Sequence, residues 1–297
     1  MEAFLMIAHG KDVKYAVIGG DERQIYAALD IADRGFEVAL YGFDSFDGDV
    51  GLCTRCDKIQ DAVRKASVVL LPLTVSNDNE YLNMPLSTQT LSISTLANVI
   101  DKNAVVFGGK SEVLSDTYGV KVIDYLERDE FVIANAYLTA ESAVGIAMSE
   151  TKSSLRDTDV LVMGYGRIGK SLCSILKGMG VNVYASARKN SDFSWIRAYG
   201  YSPVDTSKVC EVVSSCKLVL NTIPELVLGK GTLGCMHKDT LIIDLASKPG
   251  GVDFNAAKEC GIKTIWALAL PGKKLPVSAG KIMARTVIDT LEDMEVI

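Results

Sequence analysis

Residues Asp159–Leu172 read D-V-L-V-M-G-Y-G-R-I-G-K-S-L, a short apolar run that delivers the chain into Gly164, Gly166 and Gly169. The spacing is G-x-G-x-x-G, after a strand and at the opening of a helix, where a dinucleotide-binding turn needs it. Gly164 permits the tight turn and Gly166 lets a pyrophosphate approach the backbone. Gly169 lets the helix pack close to the strand. Phosphates would rest on unpaired N–H groups at the helix start, around Arg167 and Ile168. Glycine turns occur in many other loops, and the strand-to-helix context is what favours the nucleotide reading here.

The next strand says which dinucleotide. After Gly180 the chain runs V-N-V-Y-A-S-A-R-K. The ribose-reading position, about 20 residues beyond the glycines, falls on Ser186 or Ala187, where an NAD-binding unit carries an acid. No carboxylate stands there to repel a 2′-phosphate, and Arg188 and Lys189 follow. NADP(H) is therefore expected, with NAD(H) as the alternative. The bland reading of Arg188 is a solvated loop residue.

At 297 residues the chain has room for two domains. Its hydrophobic fraction of 48% suits parallel strands buried on both faces. No apolar run reaches the length of a membrane span, and residues 1–10 lack the basic start of a signal peptide. A net charge of −6 argues against a general nucleic-acid binder. Seven cysteines, without a secretory context, read as reduced thiols in a cytoplasm. Cys53 and Cys56 form a C-x-x-C, but a zinc site needs about four ligands and the histidines are only His9 and His237. Two reduced loop thiols are expected there, with the other five cysteines as small buried hydrophobes.

Apolar runs alternate with helical periodicity from end to end. In the first half the runs are 15–18, 37–41, 68–71, 104–107 and 121–123; in the second they are 160–163, 183–185, 218–220, 241–243 and 264–266. Helical periodicity lies between them, as at 25–34 and 171–179. The pattern is α/β: two doubly wound domains, the second a Rossmann dinucleotide-binding domain. The expected division is 1–138 for a substrate-side domain and 139–277 for the cofactor domain. Thr139 is the expected N-cap of the connecting helix, with Glu141 in its first turn. A C-terminal helix, 278–297, is expected to return to the first domain, by analogy with two-domain dehydrogenases.

Ligands of open α/β sheets bind beyond the carboxyl ends of the strands. Asn221-Thr222-Ile223-Pro224 sits at such an end and could bond the nicotinamide ribose or carboxamide; an Asx or ST turn uses the same residues. Asp244-Leu245-Ala246-Ser247-Lys248-Pro249-Gly250-Gly251 offers a serine, a lysine and freed N–H groups for a carboxylate, or is a plain turn. Leu270–Pro276 reads as a surface loop with two lysines. In the first half, Val17–Gln24 mimics a nucleotide turn without its third glycine and reads as a substrate-side loop, with Arg23 facing the cleft. Arg128 either clamps a carboxylate or pairs with neighbouring acids, and Asn135 precedes the connecting helix.

Together V-I-G-G-D-E-R-Q (17–24), Y-G-F-D (41–44), 126–129, 162–169, 221–224, D-L-A-S-K-P-G-G-V-D (244–253), 270–272 and 278–280 resemble, in order, the family of spore dipicolinate synthase A subunits. The family carries arginine where this chain has Lys248, which keeps the charge but not the planar fork. The resemblance implies oxidation of a dihydrodipicolinate-type ring, derived from 4-hydroxy-tetrahydrodipicolinate, to dipicolinate. It also implies a partner, the flavoprotein-like B subunit, and the mother-cell cytoplasm of a sporulating bacterium. A homo-oligomer is compatible with it. The C-terminal half is similar to the cofactor domain of 2-hydroxyacid dehydrogenases, but their catalytic histidine has no counterpart in His9 or His237. An aromatising oxidation needs mainly positioning and charge neutralisation. Lys248, Ser247, Arg128, Asn135 and Arg23 are the substrate-binding candidates. Asp244 and Glu141 are the acid–base candidates, with Lys248 counted among the catalytic groups. Two other readings stand: a regulatory nucleotide-binding subunit without turnover, and another NADP-dependent dehydrogenase of a small carboxylate.

Overall fold

The structure is a computed structural model and describes residues 13–297. The expectations for the leader and for His9 lie outside the described residues. The chain divides into two compact units, one running to Ala134 and taking in Leu275–Ile297, the other Asn135–Lys274.

In the first unit the elements run β1 (Lys14–Ile18), α1 (Glu22–Asp33), β2 (Glu37–Tyr41), β3 (Thr54–Arg55), α2 (Ile59–Val63), β4 (Val68–Leu70), α3 (Ile93–Val99), β5 (Val105–Gly108), β6 (Val122–Asp124) and the start of α4 (Asp129–Glu150). The second continues with β7 (Asp159–Met163), α5 (Arg167–Gly178), β8 (Asn182–Ala187), α6 (Asn190–Ala198), β9 (Ser202–Asp205), β10 (Cys216–Asn221), α7 (Lys230–Gly234), β11 (Leu241–Asp244), α8 (Phe254–Glu259), β12 (Lys263–Trp266) and α9 (Leu270–Lys274). The last helix, α10 (Pro276–Asp293), belongs to the first unit.

Both sheets are parallel and six-stranded, in the orders β3-β2-β1-β4-β5-β6 and β12-β11-β10-β7-β8-β9. Counted within each unit the order is the same, 3-2-1-4-5-6, which reverses between the first and fourth strands and opens a crevice there. The apolar strands follow from burial on both faces. Tyr15 and Val17 of β1 enter one core layer while Ala16 and Ile18 enter the other. Val160 and Val162 of β7 are likewise separated from Leu161 and Met163.

The crevice of the first sheet is closed. Gly19, at φ +64°, lies so near the loop after β4 that an added Cβ would meet Met84 Cγ at 2.7 Å. The Gly20 N–H donates to Asn83 O at 2.9 Å. Asp44 binds that loop through Ser87 and Thr88, whose donors hold its carboxyl well below the usual carboxylate range. V-I-G-G-D-E-R-Q is a helix start: Asp21 and Gln24 form a capping box for α1. Gly280 of S-A-G brings α10 against α1, where a Cβ would stand 2.6 Å from Arg23 O.

Some expectations need correction. The connecting helix begins at Asp129, not after Thr139, and Thr139 donates its hydroxyl to Asn135 O at 2.9 Å, one turn back inside the helix. Because α4 runs unbroken through the division, no linker marks it in sequence. By length and mean hydropathy, 1.4, α4 could cross a membrane, against the expectation that no run could; half of that window is buried. Its Phe131 enters a core of the first unit and Ala140, Ala143, Val144 and Ala147 one of the second. Leu270–Lys274 is helical rather than a loop. Cys53 and Cys56 lie in the irregular segments on either side of β3, and of the other five cysteines Cys173 and Cys216 are buried, Cys235 and Cys260 half-buried and Cys210 exposed. All seven cysteines are free, and among the described residues no cluster suited to a metal occurs.

Candidate functional site at the second switch point

The G-x-G-x-x-G turn lies between β7 and α5, beside the end of β10, at the point where the second sheet's order reverses. Its three glycines have three different reasons to be there. Gly164 stands at φ +91°, and a Cβ would come within 2.6 Å of Thr222 Oγ1. At Gly169 a Cβ would collide with Gly164 O at 2.1 Å, so only glycine lets α5 pack on the turn. Around Gly166 a Cβ would meet nothing within 4 Å, and its φ of −81° suits any residue. Nothing in the chain needs glycine at 166; a ligand approaching the backbone does. No side chain caps α5, so its first N–H groups face the same opening.

A cleft of about 530 Å³ opens here, lined by Gly164, Tyr165, Gly166, Ala187, Arg188, Lys189, Asp192, Thr206, Thr222, Ile223 and Pro224. The residues present fit a dinucleotide: an open glycine and uncapped helix start for the pyrophosphate, two cations at the far rim, and an apolar wall. The Ser186 hydroxyl is not a ribose reader, because it is fully buried and accepts from the Gly164 N–H at 3.1 Å. Arg188 is exposed, its guanidinium 3.6 Å from Glu225, a solvated pair worth little. Arg167 and Ile168 form the first turn of α5. Sequence reasoning missed Tyr165, Asp192, Thr206 and Ile223. Thr206 follows β9, a polar edge strand without an apolar run to announce it.

The other candidates sort by what their polar atoms already do. Asn221 is fully buried; its Nδ2 donates to Ile223 O at 3.0 Å and to Asp244 Oδ1 at 2.8 Å, and its Oδ1 accepts from Ile223 N. This is the Asx turn, not a cofactor contact. Thr222 lines the cleft while its hydroxyl donates to Met163 O at 2.8 Å. Asp244 is also fully buried, accepting from Asn221, from Ala246 N at 3.1 Å and from Gly251 N at 2.9 Å. A carboxylate so enclosed is no proton carrier for a substrate, which corrects its catalytic role. Ser247 and Lys248 are exposed on the turn closed by Gly250 N donating to Ser247 O at 2.8 Å.

Glu141 is exposed on α4 and Asn135 is half-buried there; neither is among the residues of the cleft. In the first unit the two arginines are already paired. Arg23 makes a forked bond to Asp21, and Arg128 binds Glu130 at 2.6 Å and Asp293 at 3.0 Å. Neighbouring acids, not a free carboxylate, hold both.

The sheet order, the glycine turn and the cleft define a dinucleotide-binding domain of the dehydrogenase type. Residues 133–252 match the D-isomer specific 2-hydroxyacid dehydrogenase NAD binding domain, and residues 14–126 match the N-terminal domain of the dipicolinate synthase A subunit. The chain is 29% identical to the dipicolinate synthase A subunit of Bacillus subtilis (strain 168), over 95% of this chain and 97% of that protein. The crystal structure of the Bacillus subtilis protein superposes with a TM-score of 0.84, covering 96% of this chain and 98% of the other. That of the A subunit from Bacillus halodurans gives 0.83 at 27% identity, over 95% and 98%. The chain is thus similar along nearly its whole length to dipicolinate synthase A subunits, and its second unit is a nicotinamide-dinucleotide-binding domain.

Proposed function

We propose that this protein is an NADP-dependent oxidoreductase that makes dipicolinate, acting as the A subunit beside a flavoprotein-like B subunit in the cytoplasm of a sporulating mother cell. The observation that carries the reading is likeness along nearly the whole chain to dipicolinate synthase A subunits, joined to a cleft built for a dinucleotide. Arg188 and Lys189 at the ribose end, with no carboxylate at Ser186 or Ala187, support NADP(H) over NAD(H).

The substrate is a dihydrodipicolinate-type ring, formed by loss of water when it arrives hydroxylated. Bound in the cleft, the nicotinamide supplies the hydride acceptor. The chain's own task is placement. Lys248 and Ser247 present an ammonium and a hydroxyl, on a turn held from beneath, to one ring carboxylate. The ring loses a hydride and a proton, and gained aromaticity drives the step. With Asp244 sealed, the proton leaves to water at the open rim.

The test supplies the lysine-pathway condensation product with NADP⁺ or NAD⁺, with and without the B subunit, and follows dipicolinate by ultraviolet absorbance. Cofactor-dependent dipicolinate formation that is faster with NADP⁺ is expected. No product with either cofactor, B subunit included, would overturn the reading.

A further inference from the structure

Two loops of the second unit, one walling the cofactor cleft and the other carrying Lys248, are fastened to one buried side chain. Asp244 ends β11, and its Oδ1 takes the Asn221 Nδ2 hydrogen at 2.8 Å, drawing in the 221–224 segment that lines the cleft. The same oxygen takes Ala246 N at 3.1 Å, and Oδ2 takes Gly251 N at 2.9 Å, so the carboxylate spans both feet of the 246–251 turn. The loops also touch directly. A Cβ on Gly251 would stand 2.3 Å from Asn221 Nδ2 and 2.4 Å from Ile223 O, while Gly251 O accepts from Val227 and Leu228. Side chains of both β-strand ends, Asn221 and Asp244, are wholly buried, so no water relieves either. The 246–251 turn has a third tie, the Trp266 indole, which donates to Ala246 O at 3.0 Å and lies 3.4 Å from where a Gly250 Cβ would be.

From this geometry we infer that Asp244 is a positioning residue that couples the two ligands. Movement of the 221–224 wall as a dinucleotide seats is passed through Asn221 and Gly251 to the turn that holds Ser247 and Lys248. The dicarboxylate then binds tightly only to the dinucleotide-loaded protein, and by reciprocity tightens the dinucleotide equally. The inference deepens the reading of Lys248 as the carboxylate contact and rests on it. Asp244 touches neither ligand; it acts through the backbone it holds.

Calorimetry on the full chain tests it, with dipicolinate titrated in the presence and absence of NADPH and NADPH with and without dipicolinate. The expected result is a cooperative gain of roughly fivefold or more, the same in both directions. Asp244→Asn places an amide where one N–H now donates and frees one foot of the turn; the gain should fall to about twofold or less, with NADPH affinity changed by less than about threefold. Gly251→Ala wedges the loops apart without altering the carboxylate and should lose the gain in the same way. In a Trp195→Phe background the fluorescence of Trp266 reports the turn directly, and its response to dipicolinate should require NADPH in the parent and disappear in Asp244→Asn. Dipicolinate binding that ignores NADPH in the unaltered chain overturns the coupling alone, whatever the variants do. Failure to bind dipicolinate even with NADPH overturns the functional reading and the coupling with it. Full coupling in a folded Asp244→Asn removes Asp244 from the link.

Discussion

Gly166 and Gly169 look alike in the sequence and differ in what surrounds them. A side chain at 169 meets the turn's own backbone, whereas one at 166 meets open cleft. Gly166→Val should therefore abolish NADPH binding while leaving the melting temperature nearly unchanged; retained affinity by fluorescence titration would show the glycine to be structural. Arg188→Ala should weaken NADPH by about 1–3 kcal/mol through loss of a charge-assisted bond and leave NADH nearly unchanged. Equal losses for both would sink the NADP assignment. The cysteines make a separate test at this scale. Burial pushes the thiols of Cys53 and Cys216 up to about 11 and that of Cys173 up to about 12, while Cys210 is exposed. At pH 8 roughly one in a thousand of the pKa 11 thiols is thiolate. Mass-resolved alkylation should modify Cys210 first, with the three buried thiols lagging by roughly a hundredfold or more and accelerating about tenfold per pH unit. Asn221 and Asp244 show why residue roles were only partly legible. The residue types that bond a cofactor also close a turn, and which they do depends on partners up to twenty-three positions away.

Among the elements, strands buried on both faces announced themselves as runs of Val, Ile and Leu. The two that did not, β3 (Thr54–Arg55) and β9 (Ser202–Asp205), are short, polar edges of their sheets. The start of α1, capped by Asp21, lay hidden in a stretch that reads as a loop, and Thr139 was misread as a cap because it bonds backwards inside a helix. The 246–251 turn shows what an element adds to a residue: Lys248 at its tip has no ion pair among the described residues, while the feet of the turn are held from within. Lys248→Ala should raise the KM for the ring substrate roughly tenfold, as loss of one charged hydrogen bond does, and spare NADPH affinity. Lys248→Arg should stay within a few-fold of the parent. Unchanged kinetics in the alanine variant would remove the lysine from the substrate site.

The whole molecule uses one strand order twice, with opposite outcomes at the crevice. In the second unit the crevice is open beside Gly166; in the first, Met84 and its loop fill the corresponding place beside Gly19. The chain should accordingly bind one NADPH and not two, and a calorimetric stoichiometry of two would contradict the closed crevice. The two-unit plan was legible because the alternation of runs repeats, but the filling of the first crevice was not, since it depends on the loop after β4 reaching across to the turns that follow β1 and β2. The pairing of α1 with α10 carries a consequence for how the protein is made. Met283, Val287, Ile288 and Leu291 of α10 complete the core that α1 lines with Ile25, Ala28 and Ile31. A ribosome delivers α10 roughly 240 residues after α1, an interval of roughly 10–50 s at ordinary elongation rates. The unit synthesised first is therefore finished last. For that interval its apolar groove stands open in the cell, a ready target for holding chaperones, while the nucleotide-binding unit, contiguous in the chain, is already free to fold.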